Sequence, residues 1–255
     1  MCIKTIMGEY LSKNYKKSDF PQMYKDLTID DKINIFVDRV KWWQLDVADK
    51  IINGYIDEVG REIPKIPDSN FATLSVVLSY FEMIGKYCEG YTDKSKARHY
   101  FTKGFLIISK MMGWGGSLPI TDEEVTNIKE IVEENLNTEQ EREGLEKINI
   151  AQFNMRGLNE ETGNILYEEA RCCLYHTGIT SRKIRFGDFA ETFVMISVSG
   201  DRNFVIFNIN PSTLPNKLLK HLQLYEEQLR NEQNVDMRKN FEKRFDYNII
   251  GKKEE

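Results

Sequence analysis

The residues best equipped for chemistry lie in Tyr167-Glu168-Glu169-Ala170-Arg171-Cys172-Cys173-Leu174-Tyr175-His176-Thr177-Gly178. This stretch reads as the last turns of a helix that stops at Gly178, since glycine accepts the left-handed conformation in which helices end. Arg171 stays charged and presents a planar fork of donors matched to phosphate oxygens. His176 can give and take a proton near neutral pH. Together a guanidinium and an imidazole can cut RNA without a metal. The 2′-hydroxyl attacks the adjacent phosphate, the imidazole moves a proton, and the guanidinium stabilises the charge building on the phosphate oxygens. The product would carry a cyclic phosphate. A basic run, Arg182-Lys183-Ile184-Arg185, follows the stop and offers cations to an RNA backbone.

The spacing sets a geometric difficulty. Positions five apart on an ideal helix lie about 140° apart around its axis, so Arg171 and His176 do not share a face. Either His176 sits where the chain is already leaving the cylinder, or Arg and His from two copies converge across a two-fold axis. Tyr175, four positions after Arg171, does share its face. A purely structural role is the competing reading: His176 would cap carbonyls at the helix end, and Arg171 would pair with Glu168 or Glu82.

The elements that must position these residues belong to a chain of 255 residues, enough to bury a core without disulfides. Hydrophobic residues make up 41%, which is globular and not disordered. The net charge of -5, from 35 basic and 40 acidic side chains, argues against a surface coated for nucleic acid but leaves room for a local basic groove. Cys2, Cys88, Cys172 and Cys173 contain no C-x-x-C pattern, so reduced thiols in a cytoplasmic protein are expected. The first residues lack the apolar core of a signal peptide, and no apolar run approaches the roughly 20 residues that cross a bilayer. Three histidines far apart in sequence make a His-built metal site unexpected, and no cofactor is expected. His99 and His221 are read as surface residues.

Along the chain, residues 1–27 read as a polar arm with one short helix. Thr28 and Asp30 can start a helix whose apolar positions run from Ile33 through Phe36 and Val40 to Ile52, ending at Asn53-Gly54. Trp42 and Trp43 are expected to pack in a core or an interface. After Pro64 and Pro67, Asp68 or Ser69 can cap a second helix with the stripe Phe71, Leu74, Val77, Leu78, Phe81 and Ile84. Glu82 lies beside that stripe, where a carboxylate needs water or a basic partner. A third helix spans about Lys94 to Met112. Gly113-Trp114-Gly115-Gly116-Ser117 breaks the chain, and the acidic stretch from Thr121 to Glu146 reads as a solvated insertion. After His176 the pattern turns to β: two apolar runs flanking Ser199-Gly200-Asp201-Arg202-Asn203 predict a hairpin, closed by Asn210-Pro211. A final amphipathic helix carries Leu214, Leu218, Leu219, Leu222, Tyr225 and Leu229, with one more short helix around Met237 to Phe245.

The pattern Arg171-Cys172-Cys173-Leu174-Tyr175-His176, late in a helical chain, resembles the HEPN superfamily of prokaryotic defence and toxin systems. Phe71–Tyr87 is similar to that family's earlier bundle helix. Asn208-Ile209-Asn210-Pro211 and the Leu-rich helix after it resemble a subgroup with a hairpin behind the motif. The resemblance covers about residues 30–112 and 163–245. It implies a mainly α, HEPN-like bundle with a small β-hairpin after the motif helix, in a single domain over 1–255, with 113–162 as an acidic insertion. It further implies a metal-independent endoribonuclease of phage defence, toxin or stress systems. Arg171 and His176 would be its catalytic pair, shared across a homodimer, with Glu82 and Tyr175 in support. RNA is the expected substrate, bound by Arg182, Lys183 and Arg185, and an antitoxin or defence partner is the expected regulator. The alternative is a catalytically inactive member of the same fold that binds a nucleotide or a protein. Many members place a polar residue directly after the Arg, where this chain has Cys172, and a Tyr two positions after the His, where it has Gly178.

Overall fold

A computed structural model describes residues 10–20, 27–90, 96–114, 160–187, 194–198 and 205–251. The protein is mainly α. The acidic stretch from Thr121 to Glu146 and the expected hairpin turn lie outside the described residues. Contacts group the chain into two compact units, residues 1–105 with 211–255, and residues 106–210. The core expected over 30–112 and 163–245 therefore contributes to both.

In the first unit, α1 (Ile29–Val40) starts as its sequence dictates. The Thr28 side chain accepts from the Asp31 backbone N–H, and the Asp31 carboxylate accepts from the Thr28 N–H, a reciprocal cap that satisfies donors a helix start leaves open. The helix widens through a π turn at Lys41–Leu45 and continues as α2 (Asp46–Asn53), stopping at Gly54 with φ 75°. Trp42 and Trp43 are not core residues. Lys13 sits 3.5 Å above the Trp42 ring and Arg39 4.8 Å from the Trp43 ring, so cations shield rings that remain at the rim. A short hairpin pairs β1 (Tyr55–Ile56) with β2 (Glu62–Ile63).

Helix α3 (Asn70–Glu89) is the centre of this unit. Leu74, Val77, Leu78, Phe81 and Ile84 of the expected stripe are all fully buried, and Tyr80 and Tyr87 extend the burial around the helix. Helix α4 (Ala97–Met111) begins in this unit, α7 (Leu214–Arg230) and α8 (Val235–Phe245) complete it, and a π turn at Asp246–Ile250 follows. The α7 stripe Leu214, Leu218, Leu222, Tyr225 and Leu229 is likewise buried, with Leu219 half-buried. Aromatic rings from α1, α3, α7 and α8 meet: Phe36 stands 4.5 Å from Tyr87, 5.4 Å from Phe241 and 6.2 Å from Tyr225. Lys32 of α1 joins them to the chain end by ion pairs to Glu242 and Asp246, at 3.1 and 2.9 Å.

Two glycines let α3 and α4 touch backbone to backbone. A Cβ on Gly85 would lie 1.9 Å from the Tyr100 carbonyl oxygen, and one on Gly104 would lie 1.8 Å from the Phe81 carbonyl oxygen. Neither clash can be relieved by a side-chain rotation, because the obstructing atom is backbone.

His221 corrects the expectation of a surface residue. It is fully buried within the α7 stripe, one turn from both Leu218 and Tyr225. Its Nδ1 lies 2.8 Å from the Tyr80 hydroxyl, and its ring stacks on Tyr225 at 6.2 Å. Burial pushes the imidazole pKa down to about 4, because a charged ring would lose its hydration. His99 is exposed as expected, with Nε2 3.1 Å from Glu89. Glu82 is neither solvated nor isolated: its side chain is 12% exposed and pairs with Lys86 one turn along its own helix. Burial lowers the Arg244 pKa, whereas Glu82 is among the groups that favour its charge, so Glu82 also acts on a basic group of the neighbouring helix.

Two predictions follow from this core. Gly85→Ala is expected to cost about 3 kcal/mol or more, at or above the upper end of ordinary overpacking. Gly60→Ala, where a Cβ meets nothing but the φ is +81°, should cost only about 1–2 kcal/mol. Urea unfolding of both variants measures the difference, and equal midpoints would remove the crossing as a constraint. His221 makes stability depend on pH. Its folded pKa is depressed, so its contribution is complete above 6.5 and is lost as pH falls from 6.5 to about 4. The expected loss is about 3 kcal/mol, and His221→Phe should flatten that limb of the stability–pH curve.

Candidate functional site

The second unit builds its site from one helix, the loop that follows it, and a small sheet. The helix runs α5 (Glu160–Ile165), a π stretch (Leu166–Cys172) and α6 (Cys173–Thr177). Thr162, Leu166, Ala170 and Leu174 are buried at strict four-residue intervals. An α-helix turns about 100° per residue, so each such step would drift by about 40°, and the stripe would wander off one face. The wider π turn, with its i→i+5 hydrogen bonds, reduces that drift.

The same widening serves the series one position later. Tyr167, Arg171 and Tyr175 also recur every four residues, and the Arg171 guanidinium lies 5.4 Å from the Tyr167 ring and 5.6 Å from the Tyr175 ring. The Tyr175 and His176 rings meet edge to face, 5.6 Å apart at 84°. Arg171 is half-buried and His176 exposed. Tyr175 thus touches both members of the expected pair, which the helix alone would turn apart. The helix ends as expected at Gly178, in the left-handed conformation at φ 77°, with its N–H donating to the Leu174 carbonyl at 3.0 Å. Thr177 Oγ1 donates to the Cys173 carbonyl at 2.7 Å.

The chain then folds back on this helix. The Ser181 N–H donates to the Glu169 carbonyl at 3.0 Å, and Lys183 Nζ donates to Glu169 Oε1 at 2.6 Å. Of the three expected RNA-binding cations, Lys183 is therefore held in an ion pair with Glu169, while Arg182 and Arg185 are exposed. Burial raises the Glu169 pKa, but hydrogen bonds from Lys183 and Ser181 and the Lys183 charge outweigh it, leaving the carboxyl below its ordinary value. Strand β3 (Ile184–Phe186) pairs parallel with β5 (Val205–Ile209), which pairs antiparallel with β4 (Val194–Val198) in the expected hairpin. The basic run is thus anchored twice, to the helix by Glu169 and to the sheet by the Lys183 carbonyl, which accepts from the Phe207 N–H at 2.7 Å. The exposed Arg185 lies on β3 opposite Asn208.

Cys172, in the position where a polar partner is expected after Arg171, is half-buried, as is Cys173, whose Sγ donates to the Glu168 carbonyl at 3.4 Å. Glu82 belongs to the first unit and pairs there with Lys86. Among the described residues, no group of three or more His, Cys, Asp or Glu side chains could hold a metal ion, and no helix is long and apolar enough to cross a membrane. The chain matches no family model, no curated protein and no solved structure.

The Glu169–Lys183 pair is testable alone. Its side chains are 22% and 40% exposed, so solvent screens the attraction. A double-mutant cycle with Glu169→Gln and Lys183→Met should give a coupling of at most about 1 kcal/mol. Because the Glu169 pKa is depressed, that coupling is present above the ordinary value of 4.5 and lost as pH falls through and below it. A coupling unchanged in strongly acid solution would mean that another contact ties the loop down.

Proposed function

We propose that the protein is a HEPN-like, metal-independent endoribonuclease whose site is the exposed end of the Arg171–His176 helix. The observation that supports this reading is the contact series in which the Arg171 guanidinium and the His176 imidazole both meet Tyr175. It gathers a phosphate-binding fork and a proton-transfer group at one accessible helix end. In the proposed reaction the 2′-oxygen of a ribose forms a bond to the adjacent phosphorus as the bond to the 5′-oxygen of the next nucleotide breaks. The 2′-hydroxyl gives up its proton, the departing 5′-oxygen gains one, and His176 moves one of these protons. Arg171 stabilises the added charge on the phosphate oxygens. Arg182 and Arg185 hold the flanking backbone, with Lys183 contributing less because Glu169 already neutralises it. The protein acts as a cytoplasmic homodimer whose Arg and His are completed across the two-fold axis, in defence or stress, under the control of a partner protein.

The purified protein is expected to cleave single-stranded RNA in the presence of EDTA. Arg171→Ala should lower the rate about 10²–10³-fold and His176→Ala about 10²–10⁴-fold. If the site is shared between protomers, mixing the two inactive variants restores part of the activity, because one composite site in the heterodimer keeps both groups. DNA lacks the 2′-hydroxyl nucleophile and should stay intact. Cleavage of DNA at a comparable rate would overturn the mechanism. RNA bound but never cut would favour the inactive binding module.

A further inference from the structure

Tyr175 has a place in this site that acid–base chemistry does not require. At 78% exposure it is the most exposed large apolar side chain among the described residues. Arg171 lies 5.6 Å from its ring centroid, and His176 meets it edge to face. At that exposure neither neighbour covers the ring, which leaves ring surface on which a base can stack. An open aromatic face beside a phosphate-binding fork matches the two ends of one nucleotide, base on the ring and phosphate on the guanidinium. Bases in a duplex already have both faces stacked, whereas unpaired bases in single strands can splay out onto an aromatic side chain.

We propose that Tyr175 is the base-stacking platform of this site, taking an unpaired nucleobase of single-stranded RNA on its open face while Arg171 holds a phosphate of the same nucleotide. The proposal rests on reading the site as one that handles RNA. It makes Tyr175 a positioning residue that selects single strands. Because every base has a π face, it discriminates between bases only by how strongly they stack. A plain surface pair of Arg171 and Tyr175 on a helix would leave nucleic-acid affinity untouched when Tyr175 is changed.

The test uses the full chain and a fluorescein-labelled single strand of 2′-O-methyl oligoadenylate, which lacks the attacking hydroxyl and is bound without being cut. Fluorescence anisotropy should show Tyr175→Leu weakening binding roughly 5- to 150-fold, the range of one lost base–aromatic stack. Tyr175→Trp should retain tight binding. A labelled abasic strand of the same length should bind wild type and Tyr175→Leu alike. The exposure of Tyr175 keeps the fold out of the comparison, and unchanged thermal unfolding of Tyr175→Leu confirms this. Equal affinity of wild type and Tyr175→Leu for the oligoadenylate would overturn the proposal, as would a wild-type protein that binds no strand or does not distinguish the abasic one. Failure of the reaction is read separately. A protein that binds the strand through Tyr175 yet never cuts the unmodified RNA keeps the platform and loses the ribonuclease. A protein that cuts RNA with a KM unmoved by Tyr175→Leu keeps the ribonuclease and loses the platform.

Discussion

The contact of α3 and α4 through Gly85 and Gly104 is the constraint on which the first unit depends. With added Cβ positions under 2 Å from the opposing carbonyls, the two backbones approach too closely for any side chain at these two glycines. That approach sets Phe81 within 5.5 Å of Phe101 and 5.7 Å of Phe105, ring edge to ring face. Aromatic pairs at such spacings add to the energy of burial itself. Held by α4 on one side, α3 has other faces left for α7 and α8, and it is buried at Leu74, Val77, Tyr80, Phe81, Ile84 and Tyr87. Burial of each large apolar side chain stabilises by roughly 1.5–3 kcal/mol. The ion pair of Glu82 and Lys86 is worth less than that stripe, and apolar burial carries most of the stability of this unit.

Polar groups inside that core fix which arrangement the apolar residues adopt. The Tyr80 hydroxyl meets His221 and nothing apolar could replace that bond without stranding it. Lys32 reaches Glu242 and Asp246, which ties α1 to α8 and the π turn after it. The Asn240 amide donates to the Cys88 carbonyl at 2.8 Å, closing the last turn of α3 where Gly90 leaves it in the left-handed conformation. These contacts join residues far apart in sequence, and each would be left unpaired by a slip of one helix turn.

That distance in sequence separates what was legible from what was not. The stripes of α3 and α7, the Thr28 cap, the stops at Gly54 and Gly178 and the β4–β5 hairpin are local patterns, and each stands in the structure. His221 was legible too, in the same periodicity that identified Leu218 and Tyr225, but a hydrophobic stripe read by residue type passes over a neutral imidazole. Of the core or interface packing expected for Trp42 and Trp43, the structure excludes the core, since large rings can be shielded by Lys13 and Arg39 without entering one. The parallel strand β3, the Glu169–Lys183 pair and the Gly85–Gly104 crossing each need a partner that no local window contains.

The site turns on a mismatch of periods. Four-residue spacing drifts on an α-helix, and a run that keeps one face at that spacing needs its turns widened. Leu166–Cys172 supplies the widening, and it acts on two series at once. The buried series Thr162, Leu166, Ala170 and Leu174 keeps to one buried face, which accounts for the π turn without any appeal to function. The outer series Tyr167, Arg171 and Tyr175 gains alignment, which places a guanidinium between two rings at nearly equal distances. A single residue inserted or deleted inside this stretch would break both series together. The arginine's orientation is thus tied to the packing of the helix that carries it. His176, one step beyond the last aligned position, stands apart from that row and meets it through the edge-to-face pairing of its ring with Tyr175.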